Sequence, residues 1–394
     1  MGKNAGLNAL LALGSILLSF IAVEAVVERF LITRTPLKFA FALSDGVGLL
    51  AQSSKKGRLP QNYIALAGDS YAQGKGDWVF EADPNSNPPY HSAHLIQQRT
   101  GRDVISFGKR AVGSMRGLVV EPAARYRFVH DHIDSDLQPP EEIWAYFYAG
   151  NDLEDNLDEL QQRFLRKHTL AELSDDRAVQ AFFQDWIDHR SVGPYSSLTL
   201  NTGWLLKSTY KILGNTLKPA QDAELAPQQG VAAGDINRAR IGEQTVALPD
   251  GLQGPALDLD DTQFEQGVAV FQASLRAMRA LFPDAKVTVV YIPSVLEAYQ
   301  VVSQQVSYAD KLHPPVGSAA TSRLWQNSNR LCRAVQSVVE AQRVRFIDTR
   351  PAIRAAAAQR SIHGPRDWKH FNQAGYQALV DGIVGQPATA CATL

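Results

Sequence analysis

Tyr63-Ile64-Ala65-Leu66-Ala67-Gly68-Asp69-Ser70 is the stretch that decides how this chain is read. Its apolar run does not alternate strictly, which suits a short strand buried on both faces of a parallel sheet. The glycine, aspartate and serine that follow read as a turn at the strand's C-terminal end. A serine hydroxyl is a poor nucleophile alone. It needs a base within hydrogen-bond reach and a group that fixes that base. Such a pair sits near the other end of the chain, in Asp367-Trp368-Lys369-His370.

Four more short apolar runs follow the first: Val104 to Phe107, Ile143 to Tyr148, Val287 to Ile292 and Val344 to Ile347. Pro89 to Arg99, Met115 to Ile133, Phe264 to Leu281 and Arg323 to Ala341 carry apolar residues at helical spacing. Strand alternating with helix predicts an α/β class, arranged as a three-layer α/β/α domain. One stretch breaks the alternation, an insertion of about 156–261 after the third strand. Leu157 to Arg190 reads as helical, and 219–261 is rich in Gly, Ala, Gln and Pro, with a hairpin around Ile241-Gly242-Glu243-Gln244-Thr245-Val246. An insertion of that length serves as a lid over a cleft or is a surface excursion.

Composition bounds the rest. The chain has 394 residues, 45% hydrophobic and 20% charged, which is globular rather than disordered. A formal net charge of −1 gives no electrostatic footprint for nucleic acid. Cys332 and Cys391 are too few for a disulfide framework or a zinc cage. They form one bridge in an oxidising compartment or remain two free thiols. Ala5 to Val23 holds no charged residue. As a helix it spans roughly 28 Å, close to the hydrocarbon core of a bilayer. Despite a weak small-residue cleavage pattern at Val23-Glu24-Ala25, the expectation is an uncleaved, single-pass transmembrane helix. Lys3 precedes the span, and Arg29, Arg34 and Lys38 follow it. Counted by basic residues alone, the C-terminal side stays cytoplasmic. The expected division is an anchor at 1–30, a polar linker at 31–61 with Ser53-Ser54-Lys55-Lys56-Gly57 as its most loop-like part, a main domain at 62–385 and a tail at 386–394.

Four segments fall at predicted strand ends, where open parallel sheets place their ligand sites. They are Gly68-Asp69-Ser70-Tyr71, Ser106-Phe107-Gly108-Lys109-Arg110-Ala111-Val112-Gly113, Ala149-Gly150-Asn151-Asp152 and Asp367-Trp368-Lys369-His370-Phe371-Asn372. Together, and in this order, they resemble the SGNH hydrolases, the GDSL-type lipase and esterase superfamily. The resemblance covers nearly all of 62–385 apart from the insertion. Tyr148-Ala149-Gly150-Asn151-Asp152-Leu153-Glu154-Asp155-Asn156, Tyr291-Ile292-Pro293-Ser294 and Glu28-Arg29 look like a membrane-anchored bacterial branch.

The resemblance implies a flavodoxin-like, five-stranded parallel sheet and a serine esterase that works through an acyl-enzyme. It implies Ser70 as nucleophile, His370 as base and Asp367 as its orienter. The oxyanion hole would comprise the backbone N–H of Ser70, a second-block backbone N–H and the Asn151 side-chain amide. The second-block donor aligns with Ala111, with Gly113 as the alternative. A backbone N–H does not require glycine, so the donor can survive at Ala111, but alanine resists positive φ and the local turn can differ. The third block carries Ala149 where the family has its first glycine. No metal and no organic cofactor is implied. The implied substrate is an ester, with acetyl on a carbohydrate favoured, and the implied location is a bacterial envelope with the domain on the periplasmic or extracellular side. Two other readings stand beside it: an envelope polysaccharide O-acetyltransferase with the same triad, and a non-catalytic envelope binding or assembly protein. Oligomeric state is not legible.

The remaining candidates carry less. No G-x-S-x-G elbow surrounds Ser70, which argues against the α/β-hydrolase superfamily. His363 is the one rival to His370 as base. His130 and His132 read as surface residues, and His91 and His94 as packing residues near the first block. Asp69 and Asp152 read as loop stabilisers that bond their own backbone. Tyr71, Trp78, Lys109 and Arg110 read as cleft-liners.

Overall fold

The structure, a computed structural model, describes residues 2–32, 45–77, 91–190, 202–203, 206, 209–210, 234–311 and 316–394. Trp78 and most of 191–233 in the insertion lie outside them, as do the linker residues 33–44.

The chain forms ten strands among the described residues. They are β1 (Ile64–Ala67), β2 (Val104–Ser106), β3 (Glu142–Tyr148), β4 (Arg238–Ile241), β5 (Gln244–Ala247), β6 (Lys286–Ile292), β7 (Gln300–Val301), β8 (Gln305–Tyr308), β9 (Gly317–Ala320) and β10 (Arg345–Asp348). Five of them make one sheet in the order β10-β6-β3-β1-β2, every pair parallel. These are the five apolar runs of the sequence, and the class is α/β as expected.

Alternation along each strand divides the apolar residues between two cores. Ala65, Ala67, Ile143, Phe147 and Tyr291 join one, with helices Glu121–His132, Asp152–Gln162, Asp176–Asp188 and Asp261–Leu281. Ile64, Leu66, Trp144, Tyr146 and Ile292 join the other, with helices Ser92–Thr100, Arg350–Ala357 and Gln373–Asp381. Removing the larger of these side chains from water, such as Ile64, Leu66, Ile143 and Phe147, contributes about 1.5–3 kcal/mol each.

Helix Asp261–Leu281 shows how sequence builds a supporting element. Asp260 and Gln263 form a capping box at its start. Phe264, Val270, Phe271, Ser274, Leu275 and Met278 form its buried face. The carbonyl of Gly267 accepts from Asn156 Nδ2 at 3.0 Å, which locks this helix to Asp152–Gln162.

Both edges of the sheet are covered, one of them by part of the segment expected to be a linker. The segment read as a polar linker is part of the globule from residue 49 onward. Leu49, Leu50 and Ala51 are core residues. The Gln52 side-chain amide stands in for a strand, donating to Ser106 O and accepting from Ser106 N, each at 2.7 Å. Val104 N donates to Ser54 O at 2.8 Å. At the opposite edge the C-terminal tail straps β10. Thr389 N donates to Phe346 O at 2.9 Å, and Asp348 N to Thr389 Oγ1 at 2.7 Å. Cys391 in that tail is bonded to Cys332 on helix Thr321–Ala341. Unpaired edge donors and acceptors are a liability, and both segments satisfy them.

The expected hairpin is β4–β5, with Gly242 at φ +60° in its turn. It extends to β7, and β8 pairs with β9 in a separate hairpin that periodicity did not reveal. At the N-terminus, helix Gly2–Val26 contains a 21-residue stretch, Gly6–Val26, that is long and apolar enough to cross a membrane, and none of it is buried. Val27 and Ile32, just beyond, are already core residues.

Candidate active site

β1 delivers Ser70 through a strained turn. Gly68 has φ +138°, and a Cβ there would lie 2.8 Å from Tyr146 O on the neighbouring strand. Its N–H and C=O are both held, by Gly117 O at 3.0 Å and Lys109 N at 3.1 Å. Asp69 then caps helix Ser70–Gln73, its Oδ1 accepting from Tyr71 N at 2.9 Å. Burial pushes the Asp69 carboxyl up to about 6, against the pull of that N–H. Ser70 is the first residue of the helix, so its N–H has no intrahelical acceptor.

The histidine loop is fastened to this turn at two points. Asp77 Oδ1 accepts from Arg366 N at 3.1 Å and from Asp367 N at 2.5 Å. The Tyr71 hydroxyl donates to Lys369 O at 2.9 Å. Asn372 then caps helix Gln373–Asp381. Between these anchors His370 Nδ1 lies 2.6 Å from Asp367 Oδ2, and His370 Nε2 lies 2.8 Å from Ser70 Oγ. All three side chains are buried.

Electrostatics fix the tautomer. Burial alone would raise the Asp367 carboxyl. The His370 hydrogen bond and charge, the Lys369 N–H and the Lys75 charge outweigh it and hold the group at about 2. A carboxylate facing Nδ1 draws the imidazole proton to that nitrogen, which leaves Nε2 as acceptor for the serine O–H. Asp69 Oδ2 is a rival acceptor at 3.3 Å, longer than the histidine contact. The arrangement can therefore strip a proton from Ser70 as its oxygen attacks an electrophile.

Ala111 takes φ +55° and is exposed. The alanine adopts the left-handed conformation that a side chain resists, at a cost of about 1–2 kcal/mol. Its N–H has no hydrogen-bond partner among the described residues, and neither has that of Ser70. Gly113 N–H is engaged, donating to Glu159 Oε1 at 2.9 Å. A Cβ on Gly113 would come within 2.8 Å of Asn156 N, so the glycine is required by the close approach of helix Asp152–Gln162. This geometry favours Ala111 over Gly113 as a free donor. Asn151 precedes that helix at the end of β3, and its Nδ2 donates one hydrogen to Asp155 Oδ2 at 2.7 Å. β1 pairs with both β2 and β3, so Ser70 and Asn151 leave the sheet at its topological switch point.

His363 is not placed as a base. It is buried, its Nδ1 is 3.2 Å from the Tyr299 hydroxyl, and its Nε2 has no hydrogen-bond partner among the described residues. Burial pulls its pKa down to about 3. His91 caps helix Ser92–Thr100 and bonds Gln73 O at 2.9 Å, while His94 bonds Ser54 Oγ at 2.6 Å. Burial lowers both, to about 3 and about 4, and their role is packing and capping. His130 is exposed beside Asp131. Asp152 bonds backbone as expected, accepting from Tyr148 N at 2.8 Å. Tyr71 does not line a cleft, being wholly buried against Tyr148, His370 and Phe371. Arg110 is exposed and Lys109 half-buried.

Sequence reading missed Asp77, which ties the two loops together, and no spacing rule marks it. It also missed Asp155, which the i, i+4 relation to Asn151 does mark. Among the described residues, one group has metal-ligand spacing, Cys332, Asp348 and Cys391. Its thiols are consumed by the disulfide, and its carboxylate is paired with Arg350 at 2.8 Å. A cavity of about 480 Å³ lies between helices Asp176–Asp188 and Asp261–Leu281, and no residue of the serine site lines it.

No protein-family model matches this chain, and no curated protein matches it.

Proposed function

We propose that this chain is a serine esterase of the SGNH type, with Ser70, His370 and Asp367 as its triad. The observation that carries the reading is the continuous path from Ser70 Oγ to His370 Nε2, at 2.8 Å, and from His370 Nδ1 to Asp367 Oδ2, at 2.6 Å. The two cores flanking a sheet in the order β10-β6-β3-β1-β2 support a flavodoxin-like three-layer domain.

In this reading Ser70 Oγ attacks the acyl carbonyl as His370 Nε2 takes the hydroxyl proton. The tetrahedral oxyanion is met by the N–H groups of Ser70 and Ala111 and by Asn151 Nδ2. Each such donor contributes about 3 kcal/mol in the transition state. The intermediate collapses, and His370 hands its proton to the departing alkoxide. Water, deprotonated by His370, then attacks the acyl-serine and restores the hydroxyl.

The Cys332–Cys391 bond supports a domain outside the cytoplasm, where disulfides persist. It weighs against the basic residues after the apolar helix, which alone would favour the opposite orientation. A small acyl group on a carbohydrate remains the preferred substrate, on the motif resemblance alone.

Esters of graded acyl length, presented to the full chain and to Ser70→Ala, test the proposal. It predicts hydrolysis fastest for acetyl esters and abolished in the variant. Equal rates in both proteins would refute it. If acyl release from wild type requires a saccharide acceptor, the transferase reading replaces the hydrolase.

A further inference from the structure

The carboxylate of Asp155 sits between two groups. Its Oδ2 accepts from Asn151 Nδ2 at 2.7 Å, and its Oδ1 lies 2.8 Å from Lys311 Nζ. Lys311 comes from the connection after β8, 156 residues further along the chain, and its own N–H donates to Asp258 Oδ2 at 3.2 Å. The Asn151 amide carries two N–H bonds, and Asp155 takes one. Asn151 Oδ1 is buried with no hydrogen-bond partner among the described residues. Among the described residues, then, Asp155 is the one group that holds this amide by a hydrogen bond, and the direction of the second N–H follows from that bond.

The same carboxylate poses an electrostatic problem. A negative charge one hydrogen bond behind an oxyanion donor repels the oxyanion that the donor is meant to stabilise, and partial burial strengthens the repulsion. Lys311 stands where it cancels that charge. Lys311 itself is raised, because Asp155, Glu154 and Asp152 outweigh the effect of its burial.

We propose that Asp155 and Lys311 are positioning residues for the oxyanion hole, Asp155 aiming the Asn151 amide and Lys311 neutralising the carboxylate that aims it. The proposal rests on the esterase reading. Neither residue touches the reacting atoms.

The test uses the full chain in detergent micelles, with an acetyl ester as substrate. Asn151→Ala is expected to lower kcat about 100-fold. Asp155→Ala should lower kcat about tenfold with KM unchanged, and N151A/D155A should be no slower than Asn151→Ala alone, since the aimed group is gone. Lys311→Met should lower kcat about tenfold, and Lys311→Arg should restore it. Asp155→Asn in the Lys311→Met background should also restore it, because no charge then needs cancelling. Multiplying losses in N151A/D155A, or a wild-type kcat in Lys311→Met, would overturn the proposal. If the wild-type chain hydrolyses no ester, the esterase reading falls, and crystal structures of Asp155→Ala decide the aiming role alone. A rotated Asn151 amide supports it, and an unmoved one overturns it.

Discussion

The hydroxyl of Tyr71 donates to the carbonyl of Lys369 at 2.9 Å, joining the residue after the candidate nucleophile to the residue before the candidate base. The two are 298 positions apart in the chain. Tyr71 is wholly buried and Lys369 exposed, so this part-buried bond ties the turn that carries Ser70 to the loop that carries His370. Tyr71→Phe removes the donor to the Lys369 carbonyl. The expected cost is about 0.5–1.5 kcal/mol of stability. Activity should fall through kcat rather than KM. Chemical denaturation alongside steady-state kinetics checks both, and an unchanged kcat would show that Asp77 alone holds the loop.

Asp367→Asn keeps the shape of the side chain but removes the charge that fixes the imidazole tautomer. With the Nδ1 proton no longer favoured, Nε2 ceases to be a reliable acceptor for Ser70. A loss of about 10⁴ in kcat is expected. A loss below tenfold would mean that His370 is oriented by something else.

Ala111 holds φ +55° without a glycine. Ala111→Gly relieves that conformation but loosens the unfolded chain, so a net gain of up to about 1 kcal/mol is expected. The backbone N–H is unchanged, and activity should be retained. Destabilisation in a denaturant titration would contradict the strain at this position.

His363 gives a pH-dependence with a defined sign. Its folded pKa is pulled down to about 3 by burial, from an ordinary value of 6.5. The stability associated with the neutral ring is fully present above pH 6.5 and is lost as the pH falls toward 3. His363→Phe keeps the aromatic contacts with Tyr299 and Phe371 while removing the titration. Below pH 6.5 the variant should gain on the wild type by about 1.4 kcal/mol per pH unit. Unfolding curves at pH 8, 6 and 5 measure the gap, and parallel pH profiles would contradict the burial.

The Cys332–Cys391 bond closes a loop between residues 59 apart. Its removal in C332A/C391A should cost about 4 kcal/mol on the chain-entropy account. It would also free the tail from helix Thr321–Ala341. Denaturation with and without reductant reads the difference, and no shift would contradict the bridge.

The central strands and the triad candidates were legible because each rests on a local signal. Strands such as Ile143 to Tyr148 are apolar on both faces, and Gly242 marks a hairpin by its left-handed turn. What escaped was carried by single side chains acting at long range. Gln52 completes the sheet edge with an amide in place of a strand, and polar residues between apolar runs otherwise read as linker. Thr389 does the same at the other edge. Asp77 joins two loops 290 residues apart, with no periodicity to mark it. The cysteine pairing was open because spacing alone does not bring a tail back to a helix; the β10 edge does that. The turn at Ala111 was left open, because residue type disfavours the left-handed conformation that the alanine takes.

Covalent labelling of Ser70 tests the central claim most directly. The full chain is treated with a fluorophosphonate probe, digested, and the modified peptide identified by mass spectrometry. The account predicts one adduct, on Ser70, lost in Ser70→Ala and slowed severely in His370→Ala. A folded protein that takes up no probe, or takes it up on another serine, would contradict it.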